Sequence, residues 1–292
     1  MDIFIPIAQA LINGILQGGV YAAYAAGFSL IFGVMGVMNI SHGELVMLGA
    51  FLTYWLFTLY NLDPFLSIPI AIISLFLLGY LLQSFVINRV VEAKPLVSLI
   101  LTFGISLIIA HAALLTWTAD VRMVTTSYSG SNFIFGGLVV PYARLITFAL
   151  ALMAVAFLYI LLNYTDMGRA IRATAQDKEV ARLMGVNIRR VYALTFALGS
   201  AITGMAGALI TAYYPIYPQM GGIFTLFAFC VVVLGGMGYI LGALIGGLTL
   251  GVAQALTTSF LGAGLSLAVT FLLLYFMLVL RPKGIMGKGI VE

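Results

Sequence analysis

The chain has 292 residues, 63% of them hydrophobic and 8% charged, with a mean hydropathy of +1.17 and a net charge of +4. That balance excludes a water-soluble globular domain and describes an integral membrane protein. The basic residues are few and follow the hydrophobic segments, so they report topology and give no ground for nucleic-acid binding.

Met1 to Pro6 has no basic stretch of the kind that opens a cleaved signal, and the apolar sequence runs on far beyond a signal's length. Spanning helices need about 20 apolar residues. The chain accordingly divides into helices at roughly 13–36, 44–60, 66–87, 96–118, 143–163, 191–212, 223–238, 241–258 and 265–280. The expected fold is an all-α integral membrane protein, a polytopic bundle of about 8 transmembrane helices, or 9, with a broken helix near 39–44. Residues 3–12 either lie in the interface or begin a long tilted helix. The break at Gly235-Gly236-Met237-Gly238 is either a tight turn or a re-entrant hairpin buried in protein. Gly14/Gly18, Gly242/Gly246 and Gly247/Gly251 place small residues on one helix face and mark close packing.

Asn39-Ile40-Ser41-His42-Gly43-Glu44 puts a histidine and a carboxylate into an apolar region, where ionisable groups are expensive. Ser41-x-x-Glu44 reads as a capping box, with Ser41 covering the third amide of a new helix and Glu44 reaching back to the Ser41 amide. The same break can also line a pathway, its exposed amides and dipole favouring an anionic group such as an amino acid carboxylate. His111 reads as a neutral histidine hydrogen-bonded across helices. Asn13, Gln17, Gln254, Thr257 and Thr258 either line helix faces or bond between helices. Cys230 is the one cysteine and lies in an apolar run, so no disulfide framework, metal cluster or cofactor is expected.

Nine of the 22 charged residues lie between Asp166 and Arg190, and the next 90 residues, Val191 to Leu280, carry no charge. Within this window Asp177 can cap a short helix, Val180, Leu183 and Met184 share one face, and Gly185 can end it in the left-handed conformation. Eleven of the 13 basic residues fall on one side of the topology: Arg89, Lys94, six from Arg169 to Arg190, then Arg281, Lys283 and Lys288. The positive-inside rule makes that side cytoplasmic and puts the loop of about 119–142, with Arg122 and Arg144, outside. The side of Met1 is undecided. The sequence has no phosphate-binding Gly-x4-Gly-Lys-Ser/Thr loop, so any ATP that drives the chain is hydrolysed elsewhere.

Glu179-Val180-Ala181 with Gly185 resembles the Glu-Ala-Ala-x3-Gly signature of ABC-importer permeases, with Val180 in place of an alanine. A second segment makes the resemblance specific: Asn13-Gly14, Gly19-Val20-Tyr21-Ala22, Phe32-Gly33-Val34, Met38 to Glu44 and Met47-Leu48-Gly49-Ala50. The chain resembles the shorter permease subunit of the high-affinity branched-chain amino acid ABC transporters, over nearly its whole length. The resemblance implies a single transmembrane permease domain, 1–292, with a cytoplasmic coupling loop at about 164–190. It implies ATPase coupling through Asp177, Glu179, Ala181, Arg182 and Gly185, and a translocation pathway or broken helix at Asn39, Ser41, His42, Gly43 and Glu44. The implied partners are a second homologous permease, two ATP-binding subunits, a periplasmic or extracytoplasmic binding protein, an amino acid substrate and membrane lipid. The implied setting is a bacterial or archaeal inner membrane. Urea or short amides are alternative substrates, a gradient-driven secondary transporter is an alternative class, and an intramembrane protease lacks a Gly-x-Ser-Gly to accompany His111.

Overall fold

The computed structural model describes residues 4–287, so Met1 and Lys288 lie outside the described residues. Eleven α-helices and one two-stranded hairpin are present among them. Eight helices are long and apolar enough to span a membrane. They are α1 (Phe4–Met35), α2 (His42–Tyr60), α3 (Ile68–Phe85), α4 (Pro95–Trp117), α5 (Tyr142–Tyr164), α8 (Ile188–Ile210), α10 (Ile240–Leu261) and α11 (Ala263–Leu280). Between α5 and α8 lie α6 (Asp166–Gln176) and α7 (Lys178–Leu183), and α9 (Met220–Gly235) is a shorter apolar helix. The polytopic all-α architecture expected from hydropathy is the one observed.

Helix α1 is central and continuous from Phe4. Its 32 residues extend about 48 Å, well beyond a hydrocarbon core of about 30 Å, which resolves residues 3–12 in favour of a long helix from Phe4 onward. Its first half packs antiparallel to α10 through Gly14 and Gly18 against Gly247 and Gly251, where an added methyl would strike the opposing backbone. Gly242 and Gly246 play the same part against Val231 and Gly235 of α9. In lipid there is little hydrophobic drive between helices, so such close backbone approach is what holds them. Helix α8, buried over most of its length, crosses α1 at Gly27 and Gly199 and α2 at Gly49 and Gly204. Helices α3, α4, α5 and α11 surround this centre and turn long apolar faces outward.

The bundle has two chemically distinct ends. The basic face gathers α6, α7, the segment with Arg89, Glu92 and Lys94, and the stretch after α11. There Gly236 (φ +108) and Gly238 (φ +84) form a tight turn between α9 and α10, and Ile285 and Met286 donate to the carbonyls of Leu234 and Gly235, each at 2.9 Å. The opposite, hairpin face contains what reads in sequence as a plain polar loop but folds into β1 (Asn132–Phe135) and β2 (Leu138–Pro141), antiparallel, with Phe133 opposite Val140. Arg122 ties this face together: it pairs backbone with Ile216, donates to the Trp117 carbonyl at 2.6 Å, and lies over the rings of Tyr54 and Trp55. Tyr128 donates to Asp63 at 2.8 Å, and burial together with that bond pushes its phenol up to about 12. Gln9 bonds to Val139, so the start of α1 also lies on the hairpin face.

His111 departs from expectation. Its ring bonds back to the Leu107 carbonyl of its own helix at 2.8 Å and its side chain is exposed, because α4 turns that face away from the bundle.

Candidate functional site

Helix α1 ends at Met35, and Gly36, with φ +65, turns the chain into an irregular stretch that re-enters the protein. Helix α2 then starts at His42, beside the middle of α1 and α8. The break near 39–44 therefore exists. A break inside a membrane frees backbone groups that must find partners in protein, and two threonines supply them. Thr102 on α4 accepts from the Ile40 amide at 3.2 Å and donates to the Met38 carbonyl at 3.1 Å. Thr225 on α9 accepts from the Gly43 amide at 2.9 Å and donates to the Ile40 carbonyl at 3.0 Å.

The capping box does not form. The Ser41 hydroxyl donates to Asn39 Oδ1 at 2.7 Å, the Ser41 amide donates to the same oxygen at 3.1 Å, and α2 has no side-chain cap. The Ser41 hydroxyl is turned back to donate to Asn39, two residues away, and does not accept from an amide of α2. With His42 N donating to the Asn39 carbonyl, all four amides from Ile40 to Gly43 are satisfied internally. They are not free to receive a ligand carboxylate.

His42 is fully buried on the far side of the break. Its Nε2 lies 2.8 Å from the Tyr24 carbonyl and 3.0 Å from Thr203 Oγ1, and Phe28 meets the ring edge to face. The carbonyl can only accept, so Nε2 carries the proton and Nδ1, which has no partner, is left with the lone pair. His42 thus staples α2 to α1 and α8. Gly43 is required by proximity, since a methyl there would collide with the Gly221 carbonyl and Thr225.

Glu44 is 3% exposed, and its surroundings set its character. Oε1 accepts from Ser106 on α4 at 3.1 Å, while Oε2 has no hydrogen-bond partner among the described residues. The carboxyl packs on Gly221 so closely that no Cβ would fit. It sits in the first turn of α2 and against the first turn of α9, where both helix dipoles favour negative charge. Glu44 itself, not an incoming carboxylate, fills this position.

A separate charge-free cavity of about 280 Å³ opens toward the hairpin face, lined by Gln17, Tyr21, Tyr213, Phe227, Gln254 and Thr258 among others. Gln17 donates to Tyr21, Tyr21 to Gln254 at 2.7 Å, and Gln254 to Thr270 at 2.8 Å. Gln254 therefore bonds between helices, from α10 to α1 and α11, whereas Gln17 bonds within α1. Thr257 bonds within its own helix, to the Ala253 carbonyl, and Asn13 to Gln9.

On the basic face, α7 is built as its residues dictate. Asp177 accepts from the amides of Glu179 and Val180 at 2.8 and 3.0 Å. Gly185, with φ +87, donates to the Arg182 carbonyl and Val186 to that of Ala181, each at 3.0 Å, which are the paired bonds of a Schellman ending. Ala181 is buried and packs with Ile188 and Tyr192, against Val34 and Met35 at the end of α1 and Val91. Arg182 pairs with Glu92 at 3.3 Å. Val180, Leu183 and Met184 point away from all of this, Leu183 at 86% exposure. Glu179 is exposed beside them. The preceding helix α6, which sequence left without a structure, starts at a Thr165 cap.

The two groups of residues are thus joined. Ala181 of α7 shares an apolar cluster with Ile188 and Tyr192 of α8, on which Val34 and Met35 at the end of α1 also pack, and Gly36 next to them opens the break that leads into α2 at His42. Sequence reading missed Thr102, Ser106, Thr203, Gly221 and Thr225. The available signal was Thr102 and Ser106, a four-residue spacing that puts two hydroxyls on one face of an otherwise apolar helix.

Comparison with known proteins gives this geometry a family. The family described as "Branched-chain amino acid transport system / permease component" matches residues 10–280. The chain belongs to this permease family. It is 32% identical to the high-affinity branched-chain amino acid transport system permease protein BraD of Pseudomonas aeruginosa, covering 97% of each chain. Identity to the corresponding permease LivH of Escherichia coli is 31%, over 99% of this chain and 98% of that one. A ribose import permease of Haemophilus influenzae is 26% identical over 82% of this chain and 75% of its own length. No solved structure matches significantly. Within the permease family the break and α7 both fall inside the matched region.

Proposed function

We propose that the chain is the membrane permease of an ATP-binding-cassette importer for branched-chain or closely related amino acids in a bacterial or archaeal inner membrane. In this reading it forms one pathway with a second, homologous permease, and a binding protein delivers substrate to the hairpin face. The basic face is cytoplasmic and meets two ATP-binding subunits, which carry out the hydrolysis. The full-length similarity to BraD and LivH supports the substrate class.

The observation that carries the reading is α7: a capped, Schellman-ended helix whose buried Ala181 joins the cluster of Ile188 and Tyr192 that the end of α1 also packs on, and whose apolar side is bare. Six residues are too short to be helical alone in water, so the helix is held by its packing on α8 and Val91 and by the pair of Arg182 with Glu92. A partner seated on Val180, Leu183 and Met184 can push on Met35 and Val34 through the shared cluster of Ala181, Ile188 and Tyr192. That displacement reaches Gly36, whose backbone is the hinge into the Asn39–Glu44 segment. Asp177 and Gly185 keep the lever rigid, Ala181 and Arg182 attach it, and Glu179 faces the partner. Glu44 and Asn39 then lie where the motion arrives, with His42 and Gly43 as the fixed side of the break.

The test is affinity purification of the tagged chain co-expressed with its ATP-binding and second permease subunits. The ATP-binding subunits should come down with it, and Leu183→Asp should release them while the second permease stays bound. Retention of the ATP-binding subunits by that variant would contradict the docking role.

A further inference from the structure

The hairpin β1–β2 has no part in the transport reading. Phe133, Ile134 and Phe135 are 51%, 69% and 72% exposed, and Val139 is 38% exposed. Successive residues of a strand point to opposite faces, so this hairpin is apolar on both. Two strands alone are at best marginally stable in water, and no charged side chain occurs from Met123 to Ala143.

What fixes the hairpin is α1. The Gln9 side chain donates to the Val139 carbonyl and accepts from the Val139 amide, both at 2.8 Å, pairing with the strand as a backbone would. Its level is set by the helix that follows. Strand β2 ends at Pro141 and α5 starts at Tyr142, running 23 residues, or about 34 Å, to the basic face. A helix of that length just covers the hydrocarbon core, which leaves the hairpin at the boundary of the core. Bare apolar surface continues from it along both neighbouring spans, at Phe4 and Leu11 of α1 and at Leu145 and Ile146 of α5.

We propose that the hairpin is a membrane-interface anchor, with Phe133, Ile134 and Phe135 seated among the lipid headgroups and the first carbons of the acyl chains. Phe and Leu are among the side chains that interfacial segments bury at the boundary of headgroups and acyl chains. A soluble partner would call for a polar rim, and Phe133 to Val140 contains no polar side chain. Through Gln9 the anchor holds the start of α1 at a fixed depth, so that displacement at Met35 turns the chain at Gly36 instead of sliding the helix through the membrane.

The experiment places a nitroxide label at Phe135→Cys in a Cys230→Ser background, with the complete transporter in liposomes, and compares collision with oxygen and with a water-soluble nickel complex. Ser129→Cys on the same face serves as the water reference. An oxygen-to-nickel ratio severalfold higher at 135 than at 129, unchanged on adding the substrate-binding protein, is the expected result. Equal ratios would overturn the proposal by putting the hairpin in water. Shielding from both reagents, or shielding that appears only with the binding protein, would overturn it in favour of a protein contact. Gln9→Ala should raise the nickel accessibility of the label at 135, since the hairpin loses its tie to α1.

Discussion

Ser106 on α4 donates a 3.1 Å hydrogen bond to Oε1 of Glu44 on α2, and this is the one hydrogen bond made by that carboxyl among the described residues. Helix α4 otherwise packs lightly on the bundle and exposes most of its surface, so the bond joins the break to a peripheral helix.

Replacement of Glu44 separates charge from hydrogen bonding. Glu44→Gln keeps an oxygen that can accept from Ser106, and with no capping box to lose, the complex should assemble at normal levels. Substrate uptake should nevertheless fall about tenfold or more, equivalent to about 1.4 kcal/mol in the transport barrier. Wild-type uptake by Glu44→Gln, measured with radiolabelled leucine, would show that an ionisable carboxyl beside Gly221 has no part in transport.

Gly185 is needed for its backbone conformation alone, because nothing lies within 4 Å of where a Cβ would sit. At φ +87, Gly185→Val should strain the helix end by about 1–2 kcal/mol, whereas Gly185→Asn, which tolerates that region, should be milder. The spans and the pairing of permeases should be unaffected, while substrate-stimulated ATP hydrolysis by the assembled complex should drop for Val and largely persist for Asn. Equal loss in both variants would argue for a contact at this residue instead of a turn.

Gly49 meets the backbone of Gly204 where α2 crosses α8, with no room for a methyl, whereas Gly104 and Gly130 face open space. Gly49→Ala should destabilise the detergent-solubilised protein by about 1–3 kcal/mol, the usual range for overpacking. Gly104→Ala and Gly130→Ala should leave its thermal unfolding unchanged. An unshifted unfolding curve for Gly49→Ala would contradict the close crossing.

The orientation is open to direct labelling. In a Cys230→Ser background, cysteines at Ser129 and Ser131 should react with an impermeant thiol reagent added outside cells, and cysteines at Gln176 and Gly287 should not. The reverse pattern would put α7 outside and end its role as an ATPase contact.

What could be read from sequence follows how local the determining interactions are. Hydropathy gave eight of the spans because lipid solvation acts residue by residue. Asp177 and Gly185 were legible because a cap and a left-handed ending each depend on a few neighbouring residues. Ser41 was misread because the capping pattern is local too, yet its hydroxyl turns back to donate to Asn39 and away from the amides of α2, which the spacing does not reveal. The role of Glu44 depends on Ser106, 62 positions away, and on Gly221. The hairpin was hidden because its sequence, Asn-Phe-Ile-Phe, does not alternate apolar with polar, as a half-buried strand would.

Leucine uptake into proteoliposomes bears most directly on the claim that this permease is driven through α7 by ATP-hydrolysing partners. The vesicles would contain this chain, its second permease and its ATP-binding subunits, with the binding protein added outside. Accumulation should require ATP within reach of the ATP-binding subunits and should be lost in Leu183→Asp. Uptake without ATP under an imposed proton gradient, undiminished by Leu183→Asp, would contradict the account.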